Sequence, residues 1–240
     1  LFYRSLRYRR YLVGYKRGKY NFTDILSLNK MGWMVGLQMG LETALFSITG
    51  IMIGWLGSIA LAAHQVMVAI STLGFMIYYG VGAAVSVRVS NYFGRQDLLH
   101  VRRTTMAGFH LILCLAVCAC TVFLFSRELI GYLFTTSEEV IRVVSTLVYI
   151  LLAYQFGDAL QITYANSLRG IGDVISMAVI SFIGYFLIAM PGCYICGFVL
   201  EWGITGIWIG YPIGLTLTGV MLCGRYYWKL KTKTQSKEFY

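Results

Sequence analysis

Residues 31–55 read MGWMVGLQMGLETALFSITGIMIGW, preceded by Lys30 and closed by Trp55. One charge, Glu42, interrupts the run, close to its middle. A bilayer core is crossed by about 20 apolar helical residues, so this stretch is expected to be a spanning helix. A carboxylate near mid-membrane costs roughly 2.5–3.5 kcal/mol on insertion scales. Such a group turns away from lipid, toward a bundle interior or a watery cavity. The rest of the chain is read as the surroundings that Glu42 requires.

Of 240 residues, 58% are apolar and only 12% are charged, with a mean hydropathy of +0.68. A soluble domain carries about 25% charged residues. The deficit fits a polytopic membrane protein whose charges are confined to loops and ends. All six Cys (114, 118, 120, 193, 196 and 223) fall inside apolar runs, unlike the loop-borne Cys of a secreted disulfide framework. Cys193-x-x-Cys196 has redox or zinc spacing, but no second pair or nearby His completes it, so these are read as ordinary buried thiols.

The chain opens with LFYRSLRYRRYLVGYKRGKY, which interleaves charge with aromatics and lacks the apolar core of a signal peptide. It is expected to be a loop that follows an earlier helix, within a longer chain. From Arg4 to Lys30 it holds eight Lys/Arg against one acid, Asp24. Basic residues among tyrosines also occur in nucleic-acid binders. Ahead of spanning helices, a cytoplasmic juxtamembrane loop drawn to anionic lipid is the better account, and no nucleic-acid partner is expected. Asn21-Phe22-Thr23 matches the glycosylation triplet, but a cytoplasmic loop would not meet that machinery.

Six apolar runs follow, at 31–55, 59–84, 105–126, 143–166, 174–200 and 204–224. If the first loop is inside, eighteen of the twenty Lys/Arg lie on that side, leaving only Arg127 and Arg142 outside. The positive-inside rule then puts both termini in the cytoplasm. Trp33, Trp55, Trp202 and Trp228 fall near span ends, as interfacial anchors do. The second run is too long for a bilayer if helical to Asn91. It must project inward or bend at Gly74, Gly80 or Gly82. Gly32, Gly36 and Gly40 line one face of the first span and are expected to pack closely on a neighbour.

The fourth run supplies a second carboxylate, Asp158, before Arg169 ends it. Glu42 lies twelve residues from Lys30 and Asp158 eleven from Arg169, so both sit about 17 Å from the inner boundary. Tyr154 and Gln161 share the helix face of Asp158, and Gln38 has the same relation to Glu42. Carboxylate, phenol and amide oxygens on one level can hold a proton, Na+ or a cationic substrate. As mere helix glue, each polar contact would add only about 0.6 kcal/mol. His64 and His110 lack further metal ligands and are read as hydrogen-bonded packing residues. Arg169-Gly-Ile-Gly-Asp173 is read as a tight inner turn with an Arg169–Asp173 tether, since it lacks the strand of a nucleotide loop. No Ser/His/Asp set, metal cluster or phosphate cradle is visible, so no enzyme chemistry is expected.

GLQMGLETALFSITGIMIGWLGSIALAAHQV, VSVRVSNYFGR and QITYANSLRGIGD resemble the multidrug and toxic compound extrusion (MATE) transporters. The match covers nearly the whole chain, in the order of that family's C-terminal six helices. The resemblance implies a two-lobed, cation-coupled antiporter exporting small organic cations, of which the N-terminal six-helix lobe is not in this chain. It implies a coupling-cation and substrate site at Glu42, Tyr154 and Asp158, to which the residue reading adds Gln38 and Gln161. The driving ion would be H+ or Na+, with Na+ held at Glu42 and Asp158, and no other cofactor or metal. Met34 stands where the family often has Pro.

The expected architecture is an all-α, polytopic membrane lobe of six transmembrane helices. Residues 1–29 would form the basic inter-lobe loop, 30–226 the six-helix lobe and 227–240 a basic cytoplasmic tail. The expected location is the bacterial cytoplasmic membrane. Two rival readings are a lipid or oligosaccharide flippase of the same superfamily, and a non-transporting receptor or assembly subunit.

In a Cys-depleted background, a cysteine placed at Lys233 should resist impermeant reagent in intact cells, and one placed at Arg142 should react. Labelling of position 233 from outside would overturn the orientation.

Overall fold

The structure, a computed structural model, describes residues 21–238, with side chains through residue 235. Among the described residues there is no strand, and six helices are long and apolar enough to span a bilayer. These are α1 (Phe22–Gly54), α2 (Ser58–Gly94), α3 (Leu98–Phe125), α5 (Glu138–Gly170), α6 (Val174–Val199) and α7 (Gly203–Glu238). A short helix, α4 (Arg127–Phe134), lies in the connection between α3 and α5, where the sequence reading expected only loop.

Two helix starts are set by side-chain caps. The Asn21 side chain accepts from the Thr23 amide at 3.2 Å, so α1 starts at Phe22. The expected loop boundary at residue 29 is therefore too late, and Arg4–Lys19 lie outside the described residues. Asp97 caps α3, its carboxylate accepting from the His100 amide at 3.1 Å. Gln96 ahead of it takes the left-handed turn, with φ 60°. At the other end α7 runs unbroken to Glu238, so the boundary at 227 falls within a helix. Lys and Arg are good helix formers and end a span without ending a helix. At 36 residues, α7 is about 54 Å long and outruns a bilayer core of about 30 Å.

Helix α5 is the axis of the bundle, packed against α2, α3, α4, α6 and α7. Twenty of its 33 residues are buried, among them Gln155, Asp158, Gln161, Thr163, Asn166 and Ser167. Contacts this close depend on glycine in the neighbours. A Cβ on Gly74 of α2 would lie 2.9 Å from the Gln155 amide, and one on Gly82 would lie 2.6 Å from that of Asn166. Those glycines serve packing inside a continuous 37-residue α2, where the sequence reading offered them as bends. Gly32, Gly36 and Gly40 behave in the opposite way. Nothing among the described residues lies within 4 Å of a Cβ built on any of them, so the expected glycine seam of α1 is open here. Helix α1 instead packs along the first part of α6, and only lightly on α2.

Helix α6 is irregular. Residues Ile183–Ala189 and Ile195–Val199 are π-helical, on either side of the α-helical Met190–Tyr194 that contains Pro191. Proline has no amide hydrogen to donate and its ring crowds the turn before it, which a widened turn relieves. The thin face of α7, with Gly206, Gly210 and Gly214, accepts this widened helix. A Cβ on Gly210 would stand 2.8 Å from the Cys193 amide nitrogen, and one on Gly206 would meet the Cys196 carbonyl.

At the basic end of the bundle, Asp173 lies in the α5–α6 turn and binds α7. Its carboxylate accepts from Arg225 Nε at 2.8 Å and Ser176 Oγ at 2.9 Å, with Lys229 Nζ at 3.8 Å. Partial burial pushes the Asp173 carboxyl up, but the Arg225 and Ser176 hydrogen bonds and the two cations outweigh it. The net effect holds the group below its ordinary value. The anticipated Arg169–Asp173 tether does not form, because α7 delivers Arg225 and Lys229 to that carboxylate first.

Two stability measurements in detergent follow. Gly206→Ala should lower stability by about 1–3 kcal/mol, because backbone must move to admit the methyl group, whereas Gly36→Ala should cost nothing. Asp173→Asn should cost about 1–2 kcal/mol at neutral pH. A carboxyl held low stabilises the fold above its unfolded value near 3.9 and loses that contribution as pH falls through the folded value. The wild-type advantage over Asp173→Asn should therefore persist at pH 5–8 and vanish only in stronger acid.

Candidate functional site

The sequence pattern put Glu42 on α1 and Asp158 on α5 at one level, and in the bundle side chains of these helices and of α6 converge on a polar cluster. Glu42 is partly buried. Its Oε2 accepts from Gln38 Nε2 at 3.3 Å, one turn earlier on α1, and from the Tyr185 hydroxyl of α6 at 3.4 Å. Tyr185 in turn receives a hydrogen bond from Gln161 of α5. Glu42 thus joins three helices.

Asp158 lies deeper. It is fully buried, and neither carboxylate oxygen has a hydrogen-bond partner among the described residues. It stands within electrostatic range of Glu42 and of the Tyr78, Tyr154 and Tyr185 hydroxyls. A buried carboxylate without a protein partner is among the most costly groups a fold can carry. A bound cation or proton relieves that cost directly.

Beside the pair is a cavity of about 260 Å³, whose lining includes Glu42, Thr43, Phe46, Ser71, Phe75 and Tyr154. Its floor is held by aromatic packing. Phe46 meets Tyr154 edge-on at 6.4 Å and stacks on Tyr211 at 4.8 Å, while the Tyr211 hydroxyl is bonded to Thr49. Mostly apolar walls with a few convergent oxygens are the usual make-up of a small-molecule site.

All five residues singled out from the sequence come together: Gln38 and Glu42 from α1, and Tyr154, Asp158 and Gln161 from α5. The sequence reading missed Tyr185. It sits in an apolar run with no charge to mark it, and the π-helical stretch changes the phase that a 3.6-residue period would assign. It also misplaced Arg169, which donates to Asn166 Oδ1 at 3.2 Å and Gln38 Oε1 at 3.5 Å.

The other candidates are structural. His64 is buried edge-on against Trp208 at 5.7 Å. His110 bonds the Met106 carbonyl at 2.7 Å, one turn back on its own helix. All six thiols are free, and Cys193 is packed beneath Gly210. Among the described residues, no three His, Cys, Asp or Glu side chains cluster as metal ligands.

Comparison with known proteins agrees with this architecture. The MatE family model matches residues 35–195. The chain is 34% identical over 220 residues to the multidrug resistance protein NorM of Photobacterium profundum, covering 90% of this chain and 47% of that protein. It is 33% identical over 214 residues to NorM of Vibrio cholerae, covering 87% and 47%. Among solved structures, the eukaryotic MATE transporter AtDTX14 superposes with a TM-score of 0.81 at 20% identity, over 92% of this chain and 51% of that one. The bent form of the Vibrio cholerae MATE transporter VcmN gives 0.81 at 15% identity, over 90% and 49%. The chain spans about half the length of the relatives it matches. By the family match and by its six spanning helices, the chain is an integral membrane protein that belongs to the MatE family, whose members are transporters and not enzymes.

Proposed function

We propose that these helices are the C-terminal lobe of a cation-coupled multidrug antiporter of a bacterial cytoplasmic membrane, with both chain ends cytoplasmic. The observation that carries this reading is the buried carboxylate of Asp158, unpartnered among the described residues and within electrostatic range of Glu42, which itself lines an aromatic-walled cavity. The relatives named multidrug resistance proteins support the direction of transport and the broad substrate range. Phe46, Phe75 and Tyr154 offer faces to a planar organic cation, and Glu42 offers the counter-charge.

In the proposed cycle, Glu42 and Asp158 take up the driving H+ or Na+ from outside. Occupation lowers the negative charge of the pair by one, which weakens its hold on a cationic drug and relieves the desolvated Asp158. Na+ would be met by the carboxylate oxygens with the Tyr154 hydroxyl near them, and a proton by either carboxylate. Release on the cytoplasmic side restores the charge and readies the cavity for the next drug molecule. Alternation would come from this lobe rocking against a second six-helix repeat around the shared site.

Ethidium efflux by the full-length transporter, normalised to inserted protein, tests the site. Glu42→Gln and Asp158→Asn should each reduce gradient-driven efflux to background without impairing insertion, which should become slightly easier as a charge leaves the bilayer. The double variant should be little worse than either single one, because coupled carboxylates act as a unit. Tyr154→Phe should be milder. Wild-type rate and coupling in both single variants would leave helix packing as the better account.

A further inference from the structure

Arg169 is the cation nearest the carboxylate pair in the chain of hydrogen bonds, and the proposed cycle does not use it. It projects from the last turn of α5, and no described carboxylate is paired with it. Its two terminal nitrogens are spent on amides. One reaches Asn166 Oδ1 at 3.2 Å and the other Gln38 Oε1 at 3.5 Å, while Nε is buried without a partner among the described residues. Gln38 then passes its own N–H to Glu42 at 3.3 Å. One amide therefore stands between a guanidinium and the carboxylate, its carbonyl turned to the cation and its NH2 to the anion. A gap of about 20 Å³, lined in part by Gln38, Glu42, Gln161, Asn166 and Arg169, fills the space between them and is the size of one water molecule.

We propose that Arg169 is a positioning residue of the coupling site. It is a tethered positive charge that orients Gln38 toward Glu42 and limits how tightly the carboxylate pair holds the driving cation. This rests on the reading of Glu42 and Asp158 as that pair. The titratable and charged groups facing Glu42 from the surrounding helices are Asp158, Tyr154 and Arg169 of α5, Tyr185 of α6 and Tyr79 of α2. Arg169 supplies the one positive charge in this set. A transported ion must bind firmly enough to enter and weakly enough to leave. A fixed charge on the basic side of the pair opposes over-tight binding where release has to occur. Removing it withdraws positive potential and frees the Gln38 amide to turn away, and both changes make the pair hold a cation more firmly.

The test measures ethidium efflux from proteoliposomes containing the full-length transporter, driven by imposed H+ or Na+ gradients. The readout is the driving-cation concentration that gives half-maximal rate. Arg169→Gln and Gln38→Leu should each lower that concentration about tenfold, and Arg169→Lys should bring it back near the wild-type value. A merely structural Arg169 would change the amount of inserted protein or the maximal rate and leave the midpoint alone. An unshifted midpoint in Arg169→Gln overturns the proposal. A shift in Arg169→Gln with none in Gln38→Leu overturns the relay through Gln38. If Arg169→Gln fails to insert, Gln38→Leu decides by the same criterion. Glu42→Gln, run in parallel, separates the two readings. Retained coupled efflux there removes the coupling site itself, whereas lost efflux with unshifted Arg169→Gln and Gln38→Leu removes only the role of Arg169.

Discussion

A carboxylate with no hydrogen-bond partner among the described residues, buried on the central helix of a membrane bundle, is the constraint around which the other features fall into place. Asp158 is tolerated because its own face of α5 is buried and because a second carboxylate, three tyrosines and a cavity lie close by. Lipid offers no hydrogen bonds, so the polar residues of α5 face protein rather than lipid. The glycines of α2 and α7 let the neighbouring helices close over these side chains. Where α5 carries Gln155 and Asn166, α2 carries Gly74 and Gly82, and where α5 carries Gly157, α7 presents Thr216.

The same need explains the irregularity of α6. Its π-helical segment places Tyr185 where one hydroxyl serves both Glu42 and Gln161, linking α1 and α5 through a third helix. A regular helix around Pro191 would have set that hydroxyl at another angle. Local irregularity and the polar cluster therefore belong together, as single-turn π-bulges at functional sites generally do.

Charge is sorted along the bundle as strictly as polarity is sorted across it. At the basic end Asp173 is claimed by Arg225 and Lys229, Arg102 lies over the Tyr227 ring at 5.6 Å, and Lys233 over Phe93 at 3.8 Å. These contacts fasten the long end of α7 to the α2–α3 turn and the α5–α6 turn. Among the described residues they also leave Arg169 without a carboxylate of its own, and it reaches Gln38 instead.

The six spans and the two carboxylates were legible in the chain itself. Lipid demands about 20 apolar residues per crossing, and a lone charge inside such a run stands out whatever it touches. Counting from Lys30 and Arg169 even placed Glu42 and Asp158 at one depth, because helical rise is constant. What the chain could not show is which side chain meets which. Helix ends at Phe22 and Glu238 passed beyond the charges that bound the spans, since basic residues leave a membrane without leaving a helix. Tyr185 carries no charge to mark it, and its phase was changed by a π-helical stretch that no residue period announces. The partner of Asp173 came from 52 residues away rather than four. Hydropathy is a property of each residue and its near neighbours, so it is written along the sequence. Pairing across helices depends on rotation and depth of packed neighbours, and only the tertiary structure decides those.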